Sequence, residues 1–256
     1  MALENIANVK TDLIDVSIKK SIHSQEFLIF LLRENKITIS ILPFHLRANI
    51  RIYEAGFWVS DCGIKSFIAD MERLADDILK MAVEVRVPFI NLFKNNLKTH
   101  GNSENLMMTN AIMQNFINND VLKILETFDK EIITEGNPLK YPAEYLWSET
   151  IFFLENLLLC NKIRLRDIPY EVRSEVSIYK TAFRADRRRD VLLIEDIEIL
   201  FDDICKMDTG FHKEQLKNTL KDVIKSPYLH SREDENRFDY YRQNRGAEIL
   251  QTLCDK

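Results

Sequence analysis

An all-α fold, an irregular bundle of about nine to eleven helices, is predicted by three observations. Gly and Pro number six each in 256 residues, so the residues that punctuate strands and tight turns are scarce. Apolar residues make up 46% of the chain, enough for a sizeable core, and 29% charged residues supply a solvated surface. Apolar residues recur at spacings of three and four along most of the chain, the pattern of helices that bury one face.

In chain order, Ile6, Val9, Leu13 and Val16 predict a helix from about Leu3 to Lys20, and a short, very apolar one follows from Ser24 to Asn35. Lys36-Ile-Thr-Ile-Ser-Ile-Leu42 alternates with period two and is closed by Pro43, which predicts a small β-hairpin near residues 36–53 with Ala48 to Tyr53 as its partner strand. The competing reading starts a helix at Pro43 and runs it to about Val59. The clearest signal is a helix over 61–86, where Ile64, Phe67, Met71, Leu74, Ile78, Met81 and Val85 are spaced 3, 4, 3, 4, 3 and 4. Such an a/d seam packs against another helix, either of this chain or of a second one, and is the candidate seam for self-association.

Further helices are expected at Pro88 to Thr99, Ser103 to Ile117, Asp120 to Thr134, Pro142 to Asn161, Pro169 to Ala185, Asp190 to Met207, Phe211 to Lys225 and Ser231 to Leu253. Pro142 and Pro169 suit first turns, and Gly136 and Gly210 lie just past helix ends. The loop Gly136-Asn-Pro-Leu-Lys-Tyr-Pro142 divides the chain into an N-terminal region, 1–135, and a C-terminal region, 136–256, unless the two form one continuous domain. The helices differ in length and composition, and no repeat of fixed period is read from them, which disfavours a regular solenoid.

A net charge of −5 argues against sequence-independent attraction to nucleic acid or an anionic membrane, so any such binding has to be regional. The four cysteines, Cys62, Cys160, Cys205 and Cys254, are isolated and read as reduced core thiols. The first residues have neither a basic nor an apolar signal region, and no apolar stretch is long enough to span a membrane, so a cytoplasmic location is expected. Five scattered histidines without ligand spacing and the absence of Gly-rich phosphate loops predict no metal site and no cofactor.

Two segments remain as candidates for chemistry. The acidic segment 190–208 carries Glu195, Glu198 and Asp202 on one helix face, a weak catalytic candidate that could hold Mg²⁺ for a hydrolase or transferase of a phosphorylated substrate. The basic segment 162–189 ends in Arg187-Arg188-Arg189. With Lys180 and Arg184, and with Arg242 and Arg245 from the aromatic-interleaved C-terminal stretch, it forms a candidate binding patch for RNA or DNA. The simpler reading of these adjacent segments is a helical hairpin whose arms neutralise each other, with the three arginines at the corner. The leading functional expectation is a non-enzymatic helical protein–protein interaction module, an adaptor or regulatory subunit that binds another protein or itself through the 64–85 seam. Nucleic-acid binding stands second and metal-dependent catalysis third.

Overall fold

In a computed structural model the chain is described over residues 19–60, 64–101, 115–131, 143–187, 189–226 and 235–255, and among these all regular structure is helical. Two compact units result, Gln25–Leu146 and Trp147–Lys256, the latter joined by the residues that precede Gln25. The expected boundary at 135–142 falls outside the described residues; the units part at Leu146.

A helix over 19–33 (α1) enters the first unit at Gln25 and is followed by a 3₁₀ turn at Ile39–Ile41 and by helices Phe44–Arg47 (α2), Ile50–Ser60 (α3), Ile64–Lys80 (α4) and Val83–Gly101 (α5). A π-helical turn at Ile117–Val121 leads into Leu122–Glu131 (α6). The rest of the chain runs through the same series again: Ala143–Leu159 (α7), a 3₁₀ turn at Leu165–Asp167, Tyr170–Arg173 (α8), Val176–Ala185 (α9), Asp190–Lys206 (α10) and Phe211–Lys225 (α11). Glu235–Tyr241 (α12), a π-turn at Arg242–Gly246 and Ala247–Asp255 (α13) complete it.

The chain is thus a twofold internal repeat, contrary to the expectation that none is present. The two halves align without a gap at an offset of 126 residues from Phe27/Phe153 through Met81/Met207. Asn-Lys-Ile at 35–37 matches Asn-Lys-Ile at 161–163, and Ile-Tyr at 52–53 matches Ile-Tyr at 178–179. Ile68-Ala-Asp-Met-Glu-Arg-Leu-Ala-Asp-Asp-Ile-Leu-Lys-Met81 matches Ile194-Glu-Asp-Ile-Glu-Ile-Leu-Phe-Asp-Asp-Ile-Cys-Lys-Met207. Matched positions are buried in both halves, as with Ile37 and Ile163, Ile52 and Ile178, Met71 and Ile197, and Leu74 and Leu200. The first helix of each repeat ends identically. Asn35 and Asn161 both take the left-handed conformation at φ 54. Lys36 N–H donates to Leu31 O and Lys162 N–H to Leu157 O, each at 2.9 Å, the long bond of a Schellman cap.

No hairpin forms near 36–53. Pro43 and the cap at Asn35 leave no room for a strand, and the alternating isoleucines instead turn through the 3₁₀ segment, which buries Ile37 and Ile39 and leaves Ile41 exposed. The rival helix from Pro43 is realised in two pieces, α2 and α3, separated at Ala48–Asn49. The corresponding single helix expected from Pro169 is likewise two, α8 and α9. Pro88 lies inside α5 rather than at its start.

Candidate functional site

Both repeats hold one buried polar lock built from the same three residue types. In the first unit Arg47 Nε and Nη2 donate to the two Asp77 oxygens at 2.6 and 2.9 Å, Nη1 donates to Leu42 O, and the Tyr53 hydroxyl donates to Asp77 Oδ2. In the second, Arg173 Nε and Nη2 donate to Asp203 at 2.6 and 3.0 Å, Nη1 donates to Ile168 O at 2.7 Å, and Tyr179 donates to Asp203 Oδ2. Each lock ties the short helix after the proline (α2 or α8) and the next helix (α3 or α9) to the acidic helix (α4 or α10). The aspartates are fully buried, and burial of such a charge is tolerated only when it is paired and fully hydrogen-bonded. Burial and the adjacent carboxylate push both tyrosines far up, so each stays a neutral donor. Burial acts to lower Arg47 and Arg173, but the bonds to the aspartates outweigh it and raise both. The lock is architecture: it fastens three helices around a fully buried carboxylate.

The seam residues are core. Phe67, Met71, Leu74, Ile78 and Met81 are all buried within the first unit, where α4 is covered by α3, α5 and α6, so the seam is closed by this chain's own helices and is not available to a second copy. Ile64 starts α4, and Val85 belongs to α5 beyond the break at Met81 and Ala82.

The acidic face is engaged within its unit. Glu195 accepts from Arg166 at 3.1 Å, and Glu198 accepts from the Tyr241 hydroxyl at 2.7 Å and from Arg245 at 3.2 Å, while Asp202 is exposed. Among the described residues no group of three His, Cys, Asp or Glu side chains is placed to hold a metal ion. Several of the basic candidates are engaged with acidic side chains. Arg189 bonds Asp186 and Asn161, Arg242 pairs with Asp239 at 3.0 Å, and Arg245 serves Glu198 and Glu248. Lys180, Arg184 and Arg187 are exposed, and Arg188 lies outside the described residues. The pairs Arg166–Glu195 and Arg173–Asp203 join the basic and acidic segments as a helical hairpin with the arginine run at its corner.

One buried acid was not singled out by its spacing. Asp196, on the buried side of α10, is pushed up to about 8 by burial and by the like charges of Asp186 and Glu195. Its counterpart at 70 is also a buried aspartate, but the counterpart of Asp186 is Ser60, so the carboxyl pair belongs to the second repeat alone. The cysteines also differ from expectation: Cys160, Cys205 and Cys254 are free but exposed, on the solvent side of their helices.

The fifth helices of the two repeats, α5 and α11, follow at an offset of 127. Arg86 Nε donates to Met81 O at 2.8 Å and Lys213 Nζ to Met207 O at 2.7 Å, the same cation capping the same helix end. Buried Phe89 and Phe93 match buried Leu216 and Leu220.

A cavity of about 510 Å³ opens in the first unit beside α2, α3 and α5, lined by Gln25, Leu28, His45, Asn49, Val85 and Phe89 among others. His45 meets the Tyr145 ring edge-on at 5.6 Å, and Asn49 Nδ2 donates to Gln25 Oε1 at 2.8 Å.

No protein-family model matches the chain, and neither a curated protein nor a solved structure is similar to it. The informative relative of each half is therefore the other half. No helix among the described residues is long and apolar enough to cross a membrane.

Proposed function

We propose that this protein is a non-enzymatic helical interaction module, an adaptor or regulatory subunit whose two repeats present different faces to protein partners. The observation that carries this reading is where the large exposed apolar side chains stand. Trp58, 79% exposed, occupies the position of Arg184. Phe152, 63% exposed, occupies the position of Glu26. Phe30 stands opposite Asn156, Val191 opposite Lys65, and Tyr145 opposite Lys19. At each of these positions the same helix folds with a polar residue in the sister repeat, so the fold does not require the apolar one. Apolar groups held in water without a folding role mark contact surfaces, and aromatic residues supply most of the binding energy at such surfaces.

The residues the repeats share support the same reading. Many of them form the core, the caps and the buried locks, whereas several exposed positions have diverged.

The test exchanges exposed residues for those of the sister repeat: Trp58→Arg, Phe30→Asn and Phe152→Glu. Thermal melting is expected to change little, because the substituted residues already occur on this scaffold. Association, read by light scattering across concentrations and by quantitative capture of partner proteins from cell extract, is expected to weaken for at least one variant. Unchanged self-association and capture in all three would sink the proposal.

A further inference from the structure

The two repeats differ most informatively around the cavity in the first unit. In the second unit the side chains at the equivalent positions contact one another and the backbone. His212, one residue before the capping Lys213, bonds the Ser174 carbonyl through Nε2, and Lys20 pairs with Glu175 while lying over the Trp147 ring, 5.4 Å from its centroid. The counterparts in the first unit are Val85 for His212, Ala48 for Ser174, Asn49 for Glu175 and Leu146 for Lys20, and all four line the cavity. The backbone position that meets the imidazole is therefore retained, while the ring and both charges beside it have been replaced by short or neutral groups.

We propose that this cavity binds a free small molecule carrying a neutral, planar N-heteroaromatic ring with an N–H donor, seated where the His212 imidazole lies in the second unit. The ring's N–H would donate to the Ala48 carbonyl, as His212 meets Ser174. The faces are apolar, with Leu28, Val85 and Phe89 among the walls. The Gln25 and Asn49 amides give a polar edge without net charge, since Asn49 stands where Glu175 carries one. That edge disfavours a cationic ligand, whose counter-ion is absent. The volume lies in the range of about 300–1,000 Å³ typical of small-molecule sites. A ring enclosed between α3, α5 and Leu146 fits a walled cavity of this kind, unlike an extended groove along one helix.

The inference stands apart from the interaction reading, because the cavity residues are not the exposed aromatics on which that reading rests. The experiment is a ¹H–¹⁵N titration of the full chain with benzimidazole and, separately, with adenine. Saturable shifts confined to the amides around Ala48, Asn49, Val85 and Phe89 are expected for at least one probe. Val85→His, which transplants the second unit's own plug, should weaken that binding by about tenfold or more, equivalent to roughly 1.4 kcal/mol. Should Val85→His melt well below the wild type, Val85→Met fills the same space without burying a polar ring and is read in its place. Absence of saturable shifts at these amides with both probes, or shifts that persist unweakened in the folded variant, would overturn the proposal.

Discussion

The two repeats solve one packing problem with the same polar parts and then diverge wherever water or a cavity is reached. Arg47, Tyr53 and Asp77 in the first repeat have the same bonding geometry as Arg173, Tyr179 and Asp203 in the second, down to the guanidinium contact with the carbonyl before the proline. Around this constant frame the first unit lines a cavity with Val85 and Leu146 at the positions where the second unit places His212 and Lys20, and the second repeat carries buried Asp186 and Asp196 where the first has Ser60 and Asp70. Buried ionic groups are costly to unpair and so are retained together. Exposed positions cost little to change and are free to specialise.

The largest effect should come from breaking a lock. Asp77→Ala leaves a guanidinium 7% exposed without its counter-ion and should cost about 3–5 kcal/mol by denaturant unfolding. Asp203→Ala should cost less, because Arg173 is 15% exposed and can recover some hydration. Tyr53→Phe removes one hydrogen bond to a charged group and should cost about 1.5–3 kcal/mol. If Asp203→Ala proved the more damaging, the two locks would not be equivalent.

A second effect separates the repeats by pH. The folded chain holds the Asp196 proton up to a pH of about 8, whereas an unfolded aspartate releases it near pH 4. Between these values the unfolded state binds fewer protons, so this group makes stability fall as pH rises through the window and level off above it. Asp196→Asn should remove that fall and stabilise the protein at pH 8 by something on the order of 2 kcal/mol. Asp70→Asn, with Ser60 in place of the second carboxyl, should leave the slope in place. A wild-type profile that is flat from pH 4 to 8 would refute the raised Asp196 carboxyl.

The smallest effect tests how the cores differ. A Cβ on Gly56 would come within 2.1 Å of Ile39 Cδ1, whereas the second repeat pairs Ala182 with Leu165 at these positions. Gly56→Ala should therefore cost about 1–3 kcal/mol, and Ile39→Leu in the same chain should recover part of that loss. Additive losses in the double variant would show that the two positions do not compensate.

Much of this organisation was legible in the residues. The 3-4 spacing from Phe67 to Ile78 marks a helix, and the helix expected over Phe211 to Lys225 has those bounds. The opposed charges of 162–189 and 190–208 mark a hairpin because Arg166 and Arg173 must find counter-ions close at hand. The repeat was also legible, in Asn-Lys-Ile and in Leu-x-Asp-Asp-Ile-x-Lys-Met at one offset. It escapes a reading based on helix lengths because the copies are 126 residues apart and differ at most exposed positions. The period-two run at 36–42 misleads because alternate burial in a 3₁₀ turn after a Schellman cap imitates a strand.

The residues alone establish that the chain is helical and, for helices such as Asp190–Lys206 and Phe211–Lys225, where they begin and end. These are local matters of periodicity, capping and proline, acting within a turn or two of each residue. What the seam faces, which arginines are spent on internal carboxylates and which space is left open follow from the packing of distant residues. A seam reads the same whether its partner is the next helix or another chain, and a buried aspartate reads the same as a solvated one. The burial of Asp77 and Asp203, the pairing of Arg245 with Glu198, and the difference between Val85 and His212 depend on residues tens of positions apart. Long-range packing brings those residues together, and no local pattern records it.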